Sequence, residues 1–315
     1  MAIPQIIEVP FGLGGAVSGA DLGIVALKQA AREEGHDIFD QDLRVWANET
    51  SDYSDIPDKY PFLHYGDKVL RTIQRTSDRV YETLDNGSFP MVIAGDHSTA
   101  AGTLSGVLRA FPNERLGAVW IDAHADLHSP YTTPSGNAHG MSLAIATGID
   151  NLSCQKQRPK DITIKLWQDL KETVKKGRGL DIKDIVFVGG RAFDPEEKVI
   201  LSENGNRNFT VNDVGVDGVE KVVAEILEGL QDCDRIYVSF DVDSIDPSFS
   251  RGTGTPVEGG FGFEQIFKIN ELLVRAKKTC CWEMVEINPL LDKDNKMARG
   301  CFHILKNVHK IVSEK

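Results

Sequence analysis

The chain is short of cysteine, of basic clusters and of long apolar runs, and each shortage closes off a class of protein. Its five cysteines are an odd number without a Cys-x-x-Cys pair. A disulfide framework is therefore not expected, and a reduced, cytoplasmic setting is. Cys280 and Cys281 lie in an apolar run that reads as a buried strand, where thiols behave as small hydrophobes. No stretch reaches the roughly 18 apolar residues of a membrane span. The opening MAIPQIIEVPFG lacks the charged and apolar regions of a secretion signal. The nearest approach to a basic patch, LKETVKKGRG at 170–179, is broken by acids and reads as a solvated helix end. With a net charge of −12, no nucleic-acid partner is expected and no membrane partner either. Internal repeats, low-complexity tracts and Pro-, Gly- or Ser-rich linkers are also missing. Length alone admits one large domain or two smaller ones, and without a linker the 315 residues are read as a single domain spanning 1–315.

What is present is an alternation of apolar runs and helical stripes. Strands are expected near 4–9, 90–94, 116–122, 184–190, 234–242 and 279–287, most of them continuously apolar, as strands covered on both faces are. Val69, Ile73, Val80 and Leu84 fall on one helical stripe; Val219, Val222, Val223, Ile226, Leu227 and Leu230 fall on another. Alternating strand and helix over the whole chain implies an α/β fold, a mostly parallel sheet flanked by helices. The least regular stretch, 150–182, is polar and Lys-rich around one short helical pattern and is expected as a surface insertion.

Ligands of open parallel sheets collect beyond the carboxyl ends of the strands, and here those ends carry acids. MVIAGDHST delivers Asp96 and His97. GAVWIDAHAD delivers Asp122, His124 and Asp126, and IYVSFDVDSIDP delivers Asp241, Asp243 and Asp246. CWEMVEINP ends in Glu286. Taken singly, GDHS could be a helix cap, and DVDSIDP a turn whose Asp side chains bond backbone. DAHAD has few structural uses, because side chains two apart on an extended chain share one face and like charges there repel. Buried without a counter-charge, each such group would cost several kcal/mol. The Asp-rich set, with two His and no thiolate, disfavours structural zinc and suits a harder ion such as Mn²⁺. Four carboxylates are too many for one divalent ion that also takes two His. A carboxylate-bridged pair of ions fits better. Such a pair lowers the pKa of a bridging water and makes hydrolysis the default reaction.

GDHS, DAHAD, SGNxHG, SFDVDSIDP and ExNP, in this order, together with the RGTGTPVEGG loop at 251–260, resemble the ureohydrolases, the group of arginase and agmatinase. The resemblance runs from about residue 8 to 310. It implies a three-layer fold with a central parallel sheet. His97, Asp122, Asp126 and Asp241 would hold one Mn²⁺, and Asp122, His124, Asp241 and Asp243 the other, with Asp122 and Asp241 bridging. It also implies that Glu286 receives a guanidinium group, as a carboxylate suits that planar cation. His139 would return a proton to the leaving amine, with Asp126 acting beside them. The loop HSPYTTPSGN matches the arginase pattern, in which Thr133, Ser135 and Asn137 hold the α-carboxylate and α-amine of the substrate; Asp194 would face the amine. The same residues are all turn-favouring.

Some positions depart from the family. His128 stands where many arginases carry Asn and is expected to touch the substrate. Ala192 replaces an Asp, Ser142 stands where Pro is common, and 150–182 is longer than usual. The expected activity is hydrolysis of L-arginine, a small guanidino substrate, to L-ornithine and urea, in a homo-oligomer, trimer or hexamer. The alternatives are agmatinase, guanidinobutyrase or formimidoylglutamase activity, or a non-catalytic, arginine-binding metalloprotein.

Overall fold

Eight parallel strands in the order β2-β1-β3-β8-β7-β4-β5-β6 form one sheet in the computed structural model, which describes residues 3–39, 43–44 and 59–315. In chain order the elements are β1 (Ile3–Val9), α1 (Gly23–Glu33), β2 (Leu43–Arg44), α2 (Gly66–Asp85), β3 (Ser88–Ala94) and α3 (Ala100–Ala110). There follow β4 (Leu116–Ile121), α4 (Ser142–Thr147), α5 (Asp161–Val174), β5 (Ile185–Val188), α6 (Pro195–Asn204) and β6 (Asn208–Phe209). The chain closes with α7 (Val211–Asp217), α8 (Val219–Gly229), β7 (Arg235–Asp241), α9 (Phe263–Arg275), β8 (Thr279–Val285) and α10 (Lys296–Glu314). Each of the six expected strands is present, with ends shifted by no more than two residues. The two unexpected strands, β2 and β6, have two residues each, too short to leave an apolar run.

Strand periodicity sorts the sheet's side chains into two cores. Met91, Ile93, Val119, Ile121, Val238, Phe240, Trp282 and Met284 pack on one face with α1, α8, α9 and α10. Val92, Ala118, Trp120, Tyr237, Cys281 and Val285 pack on the other with α2 to α5. Helices on both faces explain why these strands are apolar throughout rather than alternating. On α2, Val69, Ile73 and Val80 are buried and Leu84 partly so; on α8, Val222, Val223 and Ile226 are buried, and Leu230 just beyond its end. The polar 150–182 stretch contributes α5, which turns Leu166, Trp167, Leu170 and Val174 inward between its charged residues. That stretch therefore supplies a helix of the layer as well as surface. The five cysteines are free, and Cys280 and Cys281 are buried in β8. Among the described residues no helix is long and apolar enough to cross a membrane.

Strands β3, β8, β7 and β4 are neighbours at the centre of the sheet, although β3 and β4 are consecutive in the chain. The chain skips two strand positions there, and a parallel sheet opens a crevice where its order reverses. Every acid-bearing strand end belongs to one of these four.

Candidate active site

The turn after β3 is forced open by Gly95: a Cβ there would lie 1.9 Å from the Phe11 carbonyl oxygen. Asp96 then caps the next turn, its carboxylate accepting the backbone N–H groups of Gly14 at 2.8 Å and Ser98 at 3.0 Å. The capping reading of GDHS thus holds for Asp96, while His97 goes to the site. The imidazole of His97 stacks on Trp120 with centroids 4.2 Å apart. Its Nδ1 lies 3.0 Å from Asp122 Oδ2, 3.0 Å from Asp126 Oδ2 and 3.2 Å from Asp241 Oδ2. On the other side of Asp122, His124 Nδ1 lies 2.8 Å from Asp243 Oδ2 and 3.6 Å from Asp122 Oδ1.

Two sets of candidate ligand atoms result: His97, Asp122 and Asp241 in one, Asp122, His124 and Asp243 in the other, each within 4.8 Å of one another. Asp126 joins the first through its distance to His97. Asp122 is common to both sets. Asp241, expected in both, is brought into the first alone. Asp246, the third acid of DVDSIDP, is a loop knot instead, accepting from the backbone of Ser248, Gly259 and Gly260.

The electrostatics of this cluster are those of a site built for a cation. Burial pushes Asp126 up to about 6, helped by repulsion from Asp122. Burial and the neighbouring acids raise Asp241 and Asp243 as well. Burial would lower His97 and His124, but the carboxylates around them overcome it and raise both, His124 to about 12. His97 Nδ1, Asp122 Oδ2 and Asp126 Oδ2 are buried and make no hydrogen bond, facing only one another across 3.0 Å from Nδ1 to each oxygen. Buried polar atoms are rarely left so, and three orphans converging from three residues fit hard divalent ions. The bonds that do exist orient the ligands from behind. Asp122 Oδ1 accepts the His124 N–H at 2.6 Å, and Asp243 Oδ1 accepts the Ala123 N–H at 3.0 Å.

The acidic cluster forms one end of a cavity of about 360 Å³, within the range of small-molecule sites. His97, His124, Asp126, Asp241 and Asp243 line that end; Thr133, Ser135, Asn137, Asp194 and His128 line the other, with His139 between. Glu286 is drawn back from the cavity. Its Oε1 accepts the His97 backbone N–H at 2.9 Å and His139 Nδ1 at 3.2 Å. Burial opposes a charged His139, but the Glu286 carboxylate beside it prevails and raises it to about 9. Glu286 and Asp126 both hold left-handed backbone, φ 69° and 52°. That costs roughly 1 kcal/mol for an L-residue, a strain typical of functional positions.

At the other end the loop is tied to itself. Thr133 Oγ1 accepts the N–H of Gly136 at 2.9 Å, and Ser135 Oγ accepts that of Asn137 at 3.1 Å. Both hydroxyls keep a proton to donate. His128 donates from Nε2 to Asp194 Oδ2 at 3.0 Å, which leaves Nδ1 to accept from the Thr132 hydroxyl at 3.2 Å. The residue expected on the substrate and the acid expected on its amine are thus bonded to each other. Ser142, in place of the usual Pro, donates to the His97 carbonyl at 2.6 Å and so ties the β3 turn to the His139 turn.

Several supporting residues carried no sequence signal. His64 Nε2 donates to the Ser135 carbonyl at 2.9 Å, and its backbone N–H to the Gly136 carbonyl at 2.8 Å. Gly136 permits this contact, because its φ is 84° and a Cβ would meet the His64 ring at 2.7 Å. Gln157, in the 150–182 stretch, donates to the Thr133 carbonyl at 2.6 Å. Arg191 spreads its guanidinium over the carbonyls of Gly189, Asp243, Val257 and Glu258, joining three loops under the acidic end. Hydrogen bonds between distant loops have no periodicity that a single sequence would reveal.

Comparison with known proteins follows the same lines. The family model described as the Arginase family matches residues 4–309. The arginase of Bacillus caldovelox is 34% identical over 93% of each chain. Its solved structure superposes with a TM-score of 0.82 at 30% identity, covering 98% of each chain. The arginase of Entamoeba histolytica, solved in complex with L-ornithine, gives a TM-score of 0.81 at 28% identity and covers 99% of each chain.

Proposed function

Because the chain belongs to the arginase family, hydrolases of guanidino groups, we propose that it hydrolyses L-arginine to L-ornithine and urea with two Mn²⁺. The observation that carries this reading is the trio of buried atoms without a hydrogen bond, His97 Nδ1, Asp122 Oδ2 and Asp126 Oδ2, beside a cavity that Thr133, Ser135, Asn137 and Asp194 also line. His97, Asp122, Asp126 and Asp241 would hold one ion, and Asp122, His124, Asp241 and Asp243 the other. Bound there, the ions would cancel the repulsion among four aspartates and acidify water at neutral pH.

The chain's own groups divide the remaining work. Glu286 would supply the carboxylate for the guanidinium through Oε2, while its Oε1 keeps the bond to His139. His139, raised to about 9, carries its proton at neutral pH. With Nδ1 on Glu286, its Nε2 is the nitrogen free to protonate the departing amine. The hydroxyls of Thr133 and Ser135 and the amide of Asn137 receive the α-carboxylate as neutral donors. Asp194, whose side chain is 48% exposed, receives the α-amine. We place the enzyme in the cytoplasm as a homo-oligomer, trimer or hexamer, in keeping with reduced cysteines and the family's habit.

One observation favours a second reading. The Asp194 carboxylate is bonded to His128, and Ala192 adds no acid beside it, so a guanidino compound without an α-amine would lose less here than at an open carboxylate. Protein loaded with Mn²⁺ and given arginine, agmatine, guanidinobutyrate and formiminoglutamate in parallel separates the two. Urea and ornithine from arginine at the highest kcat/KM support the first reading. Product chiefly from another substrate overturns it, and no product from any of them favours a binding protein.

A further inference from the structure

The stretch expected as a surface insertion also holds the loop end of the cavity from behind. None of residues 150–157 lines the cavity, yet they are bonded to the loop that does. The Ser129 hydroxyl donates to the Asp150 carbonyl at 2.6 Å. The backbone N–H groups of Lys156 and Gln157 both donate to the Tyr131 carbonyl, at 2.9 and 3.2 Å. The Gln157 side-chain amide donates to the Thr133 carbonyl at 2.6 Å. The loop therefore gives the side chains of Thr133, Ser135 and Asn137 to the cavity, and the carbonyls of Tyr131 and Thr133 to 150–157.

The same segment holds the start of α6. Asn151 Nδ2 donates to the Glu196 carbonyl at 2.8 Å, a buried bond, and Lys156 Nζ pairs with Glu196 Oε1 at 2.5 Å. Glu196 stands in the first turn of α6, two residues after Asp194, which caps that helix. Asn151 is buried and takes left-handed backbone, φ 52°. Gly aside, few residues but Asn and Asp adopt that conformation, and it persists where the surroundings fix it. The segment is itself anchored on α5, since Asp150 Oδ1 accepts from Trp167 Nε1 and from Lys171 Nζ, each at 2.6 Å. Residues 150–157 thus bridge the loop and the Asp194 turn, two walls that the cavity separates.

We propose that Gln157 and Asn151 are positioning residues that determine specificity. Through them residues 150–157 set the span between loop 133–137 and Asp194, and so select substrates that carry both an α-carboxylate and an α-amine. The inference rests on the reading of the cavity as an arginine site. A site that grips one ligand at several points needs its groups held to within about 0.5 Å by bonds from behind. Gln157 supplies such a bond on the carboxylate side and Asn151 on the amine side. Neither lines the cavity, so each acts through the backbone that it holds. Among the described residues neither is bonded to the acidic cluster, so the metal end should not feel their loss.

The test uses the full-length protein loaded with Mn²⁺. Gln157→Ala should raise KM for L-arginine and the calorimetric Kd for L-ornithine together, by about 5- to 10-fold, as the loss of one hydrogen bond does. Its kcat should move far less than its KM. Gln157→Glu, of the same size but without the donor, should match Gln157→Ala. Gln157→Lys, which restores a donor, should recover part of the affinity. Asn151→Gly keeps the left-handed backbone while deleting the bond to α6, and should raise the same two constants. Agmatine, which has no α-carboxylate, should compete with arginine as well in Gln157→Ala as in the wild type. Unchanged KM and Kd in Gln157→Ala and Asn151→Gly, or an equal loss for agmatine, would overturn the proposal and leave the arginine reading standing. Wild-type protein that neither hydrolyses L-arginine nor binds L-ornithine would overturn that reading and the proposal with it.

Discussion

At the acidic end of the cavity His97 Nδ1, Asp122 Oδ2 and Asp126 Oδ2 converge without a hydrogen bond, whereas at the loop end Thr133, Ser135, His128 and Asp194 each bond to another protein group. The first arrangement costs the bare fold something, because like charges are buried against one another. The second costs it little, because every bond would form in an ordinary polar turn. Residues that damage the fold unless a ligand is present announce the ligand. Residues that also serve the fold do so only when something else says what the cavity holds.

The largest expected effect breaks the acidic end. Asp126→Asn keeps the side chain's shape and removes its charge, so it should lose Mn²⁺ and cut turnover by about 1000-fold or more, the several kcal/mol that metal charge contributes. Without metal the sign should reverse. Asp126 is raised to about 6 from 3.8 by burial and by Asp122, so the folded protein holds this proton more tightly than the unfolded chain does. The associated stability is present in full below about pH 4 and is lost as pH rises to about 6, on the order of 3 kcal/mol. In EDTA at pH 8 Asp126→Asn should therefore melt above the wild type, as thermal denaturation would show. A variant both inactive and less stable there would mean that the cluster is not strained by its charge.

His139→Ala stands between the two ends. Calorimetry should find its Mn²⁺ binding intact, while kcat falls by about 10²- to 10⁴-fold, the usual contribution of a positioned acid. Since His139 is raised to about 9 by Glu286 against burial, its acid form persists to that pH. The wild-type kcat should decline above about pH 9, and the residual activity of the variant should lack that limb. A variant emptied of metal would reassign His139 to the acidic end.

The loop end should respond in KM. Asp194→Ala should raise KM for arginine by about 10-fold, as the loss of one charge-assisted bond does, and leave KM for agmatine nearly unchanged. His128→Asn should lower KM for arginine by freeing Asp194. Equal shifts for the two substrates in steady-state assays would make the loop a turn and nothing more.

This contrast also governs what the sequence discloses. The apolar runs at β3, β4, β7 and β8 stand out because burial on both faces leaves them no polar positions. Asp122, His124 and Asp126 stand out because spacing by two puts them on one side of an extended chain. All six expected ligands reach the acidic end. Glu283 leaves no mark inside CWEMVE, because one acid in an apolar run resembles an edge position until the register sets it beside Ser239. The helix α5 shows in the sequence as one short helical pattern, since Leu166, Trp167 and Leu170 keep helical spacing between lysines, while the polar chain around it has no period. That Glu286 bonds to His139 and Asp194 to His128 are pairings across 147 and 66 residues, and pairing at such distance leaves no local mark.

The smallest effect isolates the loop from everything else. His64 holds the Ser135 and Gly136 carbonyls from outside the cavity's acidic half. His64→Ala removes the ring bond and keeps the backbone one, so about 1 kcal/mol of loop order is lost, roughly 5-fold in KM for arginine. Neither kcat nor Mn²⁺ affinity should move, because His64 touches no ligand. His64→Gln retains a side-chain donor and should recover part of the KM. If His64→Ala instead lowered Mn²⁺ affinity in calorimetry, strain in the loop would reach the DAHAD turn through His128, and the two ends would be one cooperative unit rather than a charged half and a satisfied half.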